Sequence, residues 1–150
     1  MQKLFLIILL NAFSLGAYTQ FVDLGLPSGN LWKTENESGY FEFDEANAKY
    51  QDQLPCYGDW KELVDVCKWE WTGDGYMIIG PNGNSINLPA AGGQACNGEW
   101  YEVGTVGNYW TSSPAENELG WQFWILSGNR NGFADYHRSN QSSVRLIQNR

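Results

Sequence analysis

Helical spacing early in the chain and strand-like alternation late predict an α+β domain. Three observations carry that reading. Two short stretches, "FDEANAKYQDQ" and "DWKELVDVC", place apolar residues at the period of a helix. From Trp69 onward the period shortens towards two, with turns rich in Gly, Pro and Asn between the apolar runs. Nothing repeats, and helices do not alternate with strands, which separates α+β from a doubly wound α/β layout.

The chain opens with "MQKLFLIILLNAFSLGAYTQ": one basic residue, Lys3, an unbroken apolar run from Leu4 to Leu10, then small residues. That is the layout of a secretory signal peptide, and its apolar part is short for a membrane span. Cleavage after Gly16, Ala17 or Thr19 fits, so residues 1–19 are read as the leader and 20–150 as one domain. The expected location is the cell exterior, secreted or surface-held, with the periplasm also open. The first cysteine is Cys56, so no lipid anchor on an N-terminal cysteine is expected.

"FVDLGLPSGNLWKT" reads as two short extended pieces around a Pro-Ser-Gly-Asn turn. The first helix should carry Phe43, Ala46, Tyr50 and Leu54 on one face and stop at Leu54-Pro55. The second should start at Asp59 as N-cap, with Glu62 closing a capping box. Its apolar stripe is Trp60, Leu63, Val64 and Cys67. "GYMIIGPNGNSINLPAAGG" has the form of a β-hairpin turning at Gly80 to Asn84. "NYWTSS" is a short strand. "WQFWILS" puts Trp121, Phe123 and Ile125 on one face and Gln122, Trp124 and Leu126 on the other, as an inner strand would. "SSVRLIQ" puts Val144 and Leu146 on one face, Arg145 and Ile147 on the other.

Of the 150 residues, 17 are acidic and 9 basic, a net charge of −8, which becomes −9 without Lys3. Such a surface repels a nucleic-acid duplex or an anionic bilayer, so neither is an expected partner, and no membrane span is expected. Three cysteines (Cys56, Cys67, Cys96) allow at most one internal bridge. The single histidine, His137, lacks the companions of a triad or a zinc site, and "TGDGY" lacks the rest of a calcium loop. No catalytic residue, metal or cofactor is expected. Among the aromatics, Trp60, Trp69, Trp71, Trp110 and Trp121 fit a core, whereas Trp100, Tyr101, Trp124 and Tyr136 are candidates for stacking on sugar or anchoring a partner.

Five blocks in order, "VDLGLPSGNLWKT", "LPCYGDWKELVDVCKWEW", "GPNGNSINLPAAG", "VGTVGNYWTSS" and "SSVRLI", resemble the Fibrobacter succinogenes major paralogous domain, a family of exported bacterial modules. The resemblance covers nearly all of the mature chain. It implies a C-type lectin-like fold, with two helices ahead of a twisted, mostly antiparallel sheet and long loops. The glycine- and Trp-rich insertion usual between the first two blocks is missing. The Glu-Pro-Asn and Trp-Asn-Asp triplets of calcium-dependent lectins are also missing, so calcium-mediated sugar binding is not implied.

In that fold the late strands and their loops form the recognition face. The polar segment from Gly128 to Ser143, lying between two apolar runs, would then be either a solvated crossing or a display surface. Asn129, Arg130, Asn131, Asp135, Tyr136, His137, Arg138 and Asn140, with Trp124 beside them, supply the donors, acceptors and rigid aromatics that paratopes favour. The expected function is a non-enzymatic module binding a protein or carbohydrate ligand. A structural subunit of a surface assembly is the alternative. An oxidase of the formylglycine-generating kind is a third reading, weakened because Cys56 and Cys67 would lie about 16 Å apart along a helix.

Overall fold

The computed structural model describes residues 20–150, so the expected leader lies outside the described residues. The architecture is α+β, with two short helices and antiparallel sheets. In chain order the elements are β1 (Phe21–Asp23), β2 (Leu31–Lys33), α1 (Phe43–Tyr50), α2 (Tyr57–Val66), β3 (Lys68–Trp71), β4 (Gly75–Ile79) and β5 (Ser85–Pro89). They continue with β6 (Gly93–Gln94), β7 (Trp100–Tyr101), β8 (Val106–Pro114), β9 (Leu119–Leu126), β10 (Arg130–His137) and β11 (Ile147–Gln148). The sheets run β1-β2-β11, β3-β4-β5, β6-β7 and β10-β9-β8. No helix among the described residues is long and apolar enough to cross a membrane.

Both helices form where the spacing places them, but their ends differ. α1 stops at Tyr50 because Gln51 turns to φ 49°, and a single 3-10 turn then carries the chain to Leu54. α2 begins two residues before Asp59. Cys56 is its N-cap, and Asp59 works from inside the first turn, its carboxylate accepting the Cys56 N–H at 2.8 Å. Glu62 closes no capping box. It reaches across to β2's approach, accepting the Ser28 N–H at 2.9 Å and the Ser28 hydroxyl at 2.6 Å. The stripe keeps its purpose at Trp60 and Leu63, both fully buried.

The core divides in two around the β10-β9-β8 sheet. The larger part gathers Leu24, Trp32, Trp60, Tyr76, Ile78, Leu88, Tyr109, Phe123 and Ile125. Trp60 stacks on Phe123 with centroids 4.8 Å apart and meets Trp32 edge-on at 4.9 Å. The smaller part gathers Phe41, Phe43, Ala46, Leu54, Trp110, Val144 and Leu146. There the Trp110 indole donates to the Phe41 carbonyl at 2.6 Å, and Phe43 lies so close to Gly120 that a Cβ would meet its ring at 2.4 Å.

Arg145 departs most from the sequence expectation. The alternation places it on a strand face, yet its side chain is fully buried and precedes the short β11. Its guanidinium donates to Asn36 Oδ1 (2.9 Å) and to the carbonyls of Lys33 (2.9 Å), Thr34 (3.1 Å) and Asn87 (2.7 Å). Four charge-assisted bonds compensate the burial without a paired carboxylate, and burial lowers its pKa from 12.5 to about 10.

Candidate functional site

The site is built on the β10-β9-β8 sheet. β9 is its central strand, and its apolar residues fall on both faces because both faces are partly covered. Residues paired across strands point to the same side. Phe123 pairs with Tyr109 and Phe133, and Ile125 with Gly107 and Asn131, so these face the larger core. Trp124 pairs with Asn108 and Gly132, Gln122 with Trp110 and Ala134, and Leu126 with Val106 and Arg130, so these face the opposite side.

That opposite side is covered unevenly. At one end Trp110 packs edge-on against Phe43 of α1, and the buried Gln122 donates to the Ser142 hydroxyl at 2.6 Å. At the other end a groove of about 190 Å³ stays open between Tyr101, Val106, Asn108, Trp124, Leu126 and Tyr136. Small residues make the room. The Trp124 indole packs on Gly132, where an added Cβ would come within 2.6 Å of the ring. Ala134 follows on the same face, ahead of Tyr136.

Tyr101 is brought over the groove by the β6-β7 ribbon. Gln94 and Gln141 exchange backbone hydrogen bonds of 2.8 and 2.7 Å, and Gly93 approaches the Gln141 carbonyl too closely for a Cβ. Asn140 completes the anchor, its Oδ1 accepting the Cys96 N–H at 2.8 Å. Burial raises the Tyr101 phenol above its usual pKa, and the neighbouring Tyr136 adds to the effect, so the phenol is held protonated.

Asn108 forms the floor. The residue is only 4% exposed, and its backbone carbonyl accepts the Ser143 N–H at 2.9 Å. The residue lines the groove together with Tyr101, Trp124 and Tyr136. A buried amide left unpaired costs roughly 1–3 kcal/mol, so a ligand that hydrogen-bonds there gains from the contact.

The residues that the sequence singled out divide among several places. The segment from Gly128 to Ser143 is mostly a strand: β10 pairs with β9 along all eight of its residues. Trp124 and Tyr136 share the groove. Arg130 lies on the same face at its outer end, donating to the Ser127 carbonyl at 3.3 Å. Asn131, Asp135 and His137 point to the other face, because alternation sends successive side chains to opposite sides. Asn129 is a turn residue at φ 59°, after Gly128 at φ 78°. His137 Nδ1 accepts the Ser139 N–H at 3.2 Å and steadies the turn that follows.

Two residues leave the display set. Asn140 is buried at 4% exposure, fastening the Cys96 loop. Arg138 donates to the Leu119 carbonyl at 3.1 Å and to Asp44 at 3.0 Å, with its guanidinium 4.8 Å from the Phe43 ring centroid. Both serve the fold. The groove also brings in Tyr101, already a candidate for stacking, and Asn108, which the sequence had not singled out. Tyr101 had a sequence signal as an aromatic beside Trp100, whereas Asn108 inside "NYWTSS" had none.

Elsewhere the chemistry is sparse. Cys56, Cys67 and Cys96 are free thiols, and burial together with the charge of Glu62 pushes Cys67 up to about 11. Among the described residues no group of three His, Cys, Asp or Glu is placed to hold a metal ion. Compared with known proteins, the chain matches no family model, no curated protein and no solved structure.

Proposed function

We propose that this protein is an exported, non-enzymatic binding module, which recognises a protein or glycan through the β10-β9-β8 sheet and the ribbon above it. The observation that carries the reading is the groove itself. Three aromatic residues, Tyr101, Trp124 and Tyr136, surround the nearly buried Asn108. Binding sites pair apolar walls with a few placed polar groups in this way. A C-type lectin-like fold in the Fibrobacter succinogenes major paralogous domain family is part of the same proposal. Its support is the five ordered sequence blocks, the helix pair ahead of the main strands, and the pairing of the early β2 with the late β11.

A second reading, a structural subunit of a surface assembly, is favoured by one feature. β10 is an edge strand of eight residues, and such an edge accepts an added strand from another chain. The oxidase reading has less support, since Cys56 and Cys67 stand at opposite ends of α2 and Cys96 lies in another loop.

An array of surface glycans and envelope proteins, probed with the mature protein, tests the binding role. Trp124→Ala and Tyr136→Ala should each abolish the strongest signals while leaving a folded protein. Retention of every signal in both variants would place recognition elsewhere.

A further inference from the structure

We infer that the groove between Tyr101, Trp124 and Tyr136 takes a single neutral pyranose ring, with the Asn108 amide hydrogen-bonding its hydroxyls. The inference deepens the proposed binding role and rests on it.

The polar groups of the lining define the ligand's chemistry. Asn108 brings an amide, Tyr101 and Tyr136 hydroxyls, and Trp124 an indole N–H, all from residues that line one groove. The amide offers both a donor and an acceptor side, each phenol does both, and the indole only donates. A ligand that answers all of them must also mix donors and acceptors around a compact frame. Sugar hydroxyls do this, since each one both donates and accepts.

The lining fixes the charge and the size. No Asp, Glu, Lys, Arg or His lines the groove, so a phosphate, sulfate or carboxylate would enter without a counter-charge in the lining, Arg130 standing at the outer end of the same face. The net charge of −8 adds long-range repulsion against an anionic ligand. A volume of about 190 Å³ is below the roughly 300–1,000 Å³ of pockets that enclose drug-sized molecules, so it suits one ring and not a folded peptide segment. Aromatic walls match the remaining requirement, because a pyranose presents C–H groups on its faces and hydroxyls at its rim. Val106 and Leu126, paired across β8 and β9, extend the apolar part of the floor.

Saturation-transfer NMR on the mature protein tests this, using methyl glucoside, methyl galactoside, methyl mannoside and N-acetylglucosamine as probes. Adenosine and glucuronic acid serve as planar and anionic controls. At least one neutral pyranoside should receive saturation at its ring protons. Asn108→Leu should weaken that binding about tenfold or more, and Tyr101→Phe about threefold, because each removes a hydrogen bond to the ligand. Tyr101→Phe deletes a single oxygen from a partly buried side chain and keeps its ring, so it decides the matter even if Asn108→Leu folds poorly. Absence of transfer to every neutral pyranoside overturns the inference, as does transfer to the controls alone or binding that ignores both substitutions. If no pyranoside binds while an arrayed protein loses binding on Tyr136→Ala, the binding role stands and the sugar assignment falls.

Discussion

The two faces of the β10-β9-β8 sheet come from the same three strands and the same alternation, yet they end in different states. Towards α2, Phe123 and Ile125 are fully buried, and Tyr109 is buried with its hydroxyl bonded both to the Pro89 carbonyl and to Asn36. Towards α1, Trp110 and Gln122 are buried, but a few residues along the strand Trp124 and Asn108 border an open groove. The difference lies in what covers each end. A helix closes one, while a two-residue-deep ribbon only roofs the other. The groove is a stretch of core whose last layer was left off.

The largest expected effect breaks the closed face. Trp60→Ala should cost roughly 3–5 kcal/mol in urea unfolding, since it removes a ring packed against Trp32, Tyr109 and Phe123. A cost below about 1 kcal/mol would mean that this face is no better packed than the open one.

Arg138→Ala is the next in size, at about 1–2 kcal/mol, from a lost bond to the Leu119 carbonyl and a lost cation–π contact. The ion pair with Asp44 adds little, because Asp44 is 73% exposed. Replacing Tyr136, His137 and Arg138 together should therefore destabilise measurably, unlike replacements of display residues alone. His137→Ala by itself should stay within about 0.5 kcal/mol.

Alkaline titration sharpens the comparison. Burial pushes the Tyr109 phenol up to about 12, and burial with the charge of Glu37 does the same for Tyr50, from an ordinary value of 10.0. Folded values above the unfolded ones mean stability that is whole below pH 10 and lost as pH rises through about 12. Arg145 acts in the opposite direction, since its lowered value lets the folded state release a proton first. Two tyrosines outweigh one arginine, so the urea midpoint should fall between about pH 10 and pH 12. Tyr109→Phe should make that fall shallower.

The smallest effect belongs to the open face. Asn108→Leu should leave stability within about 1 kcal/mol of the parent in thermal unfolding, because a side chain of similar size keeps the packing beside the groove. A large loss would show that the amide supports the fold.

Much of the scaffold could be read from the residues alone. Trp60 and Leu63 gave α2 through their spacing, and Gly80 to Asn84 gave the β4-β5 turn, where the Gly80 N–H bonds to Asn84. The inner position of β9 followed from its two apolar faces. Which face stayed open did not follow, because alternation ranks polarity and carries no information about what lies above a strand. β10 looked like a loop because an edge strand needs few large side chains, and Gly132 and Ala134 are small to admit Trp124. Alternation placed Arg145 on a face with Ile147 but could not reveal its burial, since its partners are carbonyls and an amide far along the chain. Asp59 misled about the start of α2 because an acid at the third helical position carries the same signature as one at the cap.

Arg145 has a consequence for how the chain reaches its native state. Its hydrogen bonds join residues 58, 109, 111 and 112 positions away, so they form only when nearly the whole chain is present. Contacts of such separation make folding slow, and synthesis delivers residues in order at only about 5–20 per second. The carbonyls at Lys33, Thr34 and Asn87 must wait in solvent for a guanidinium made late. Until synthesis passes Arg145, these bonds between the early chain and its end cannot form. A chain ending before Ser142 should accordingly show no near-ultraviolet dichroism from its tryptophans, whereas restoring residues 142–150 should bring the whole signal back in one step.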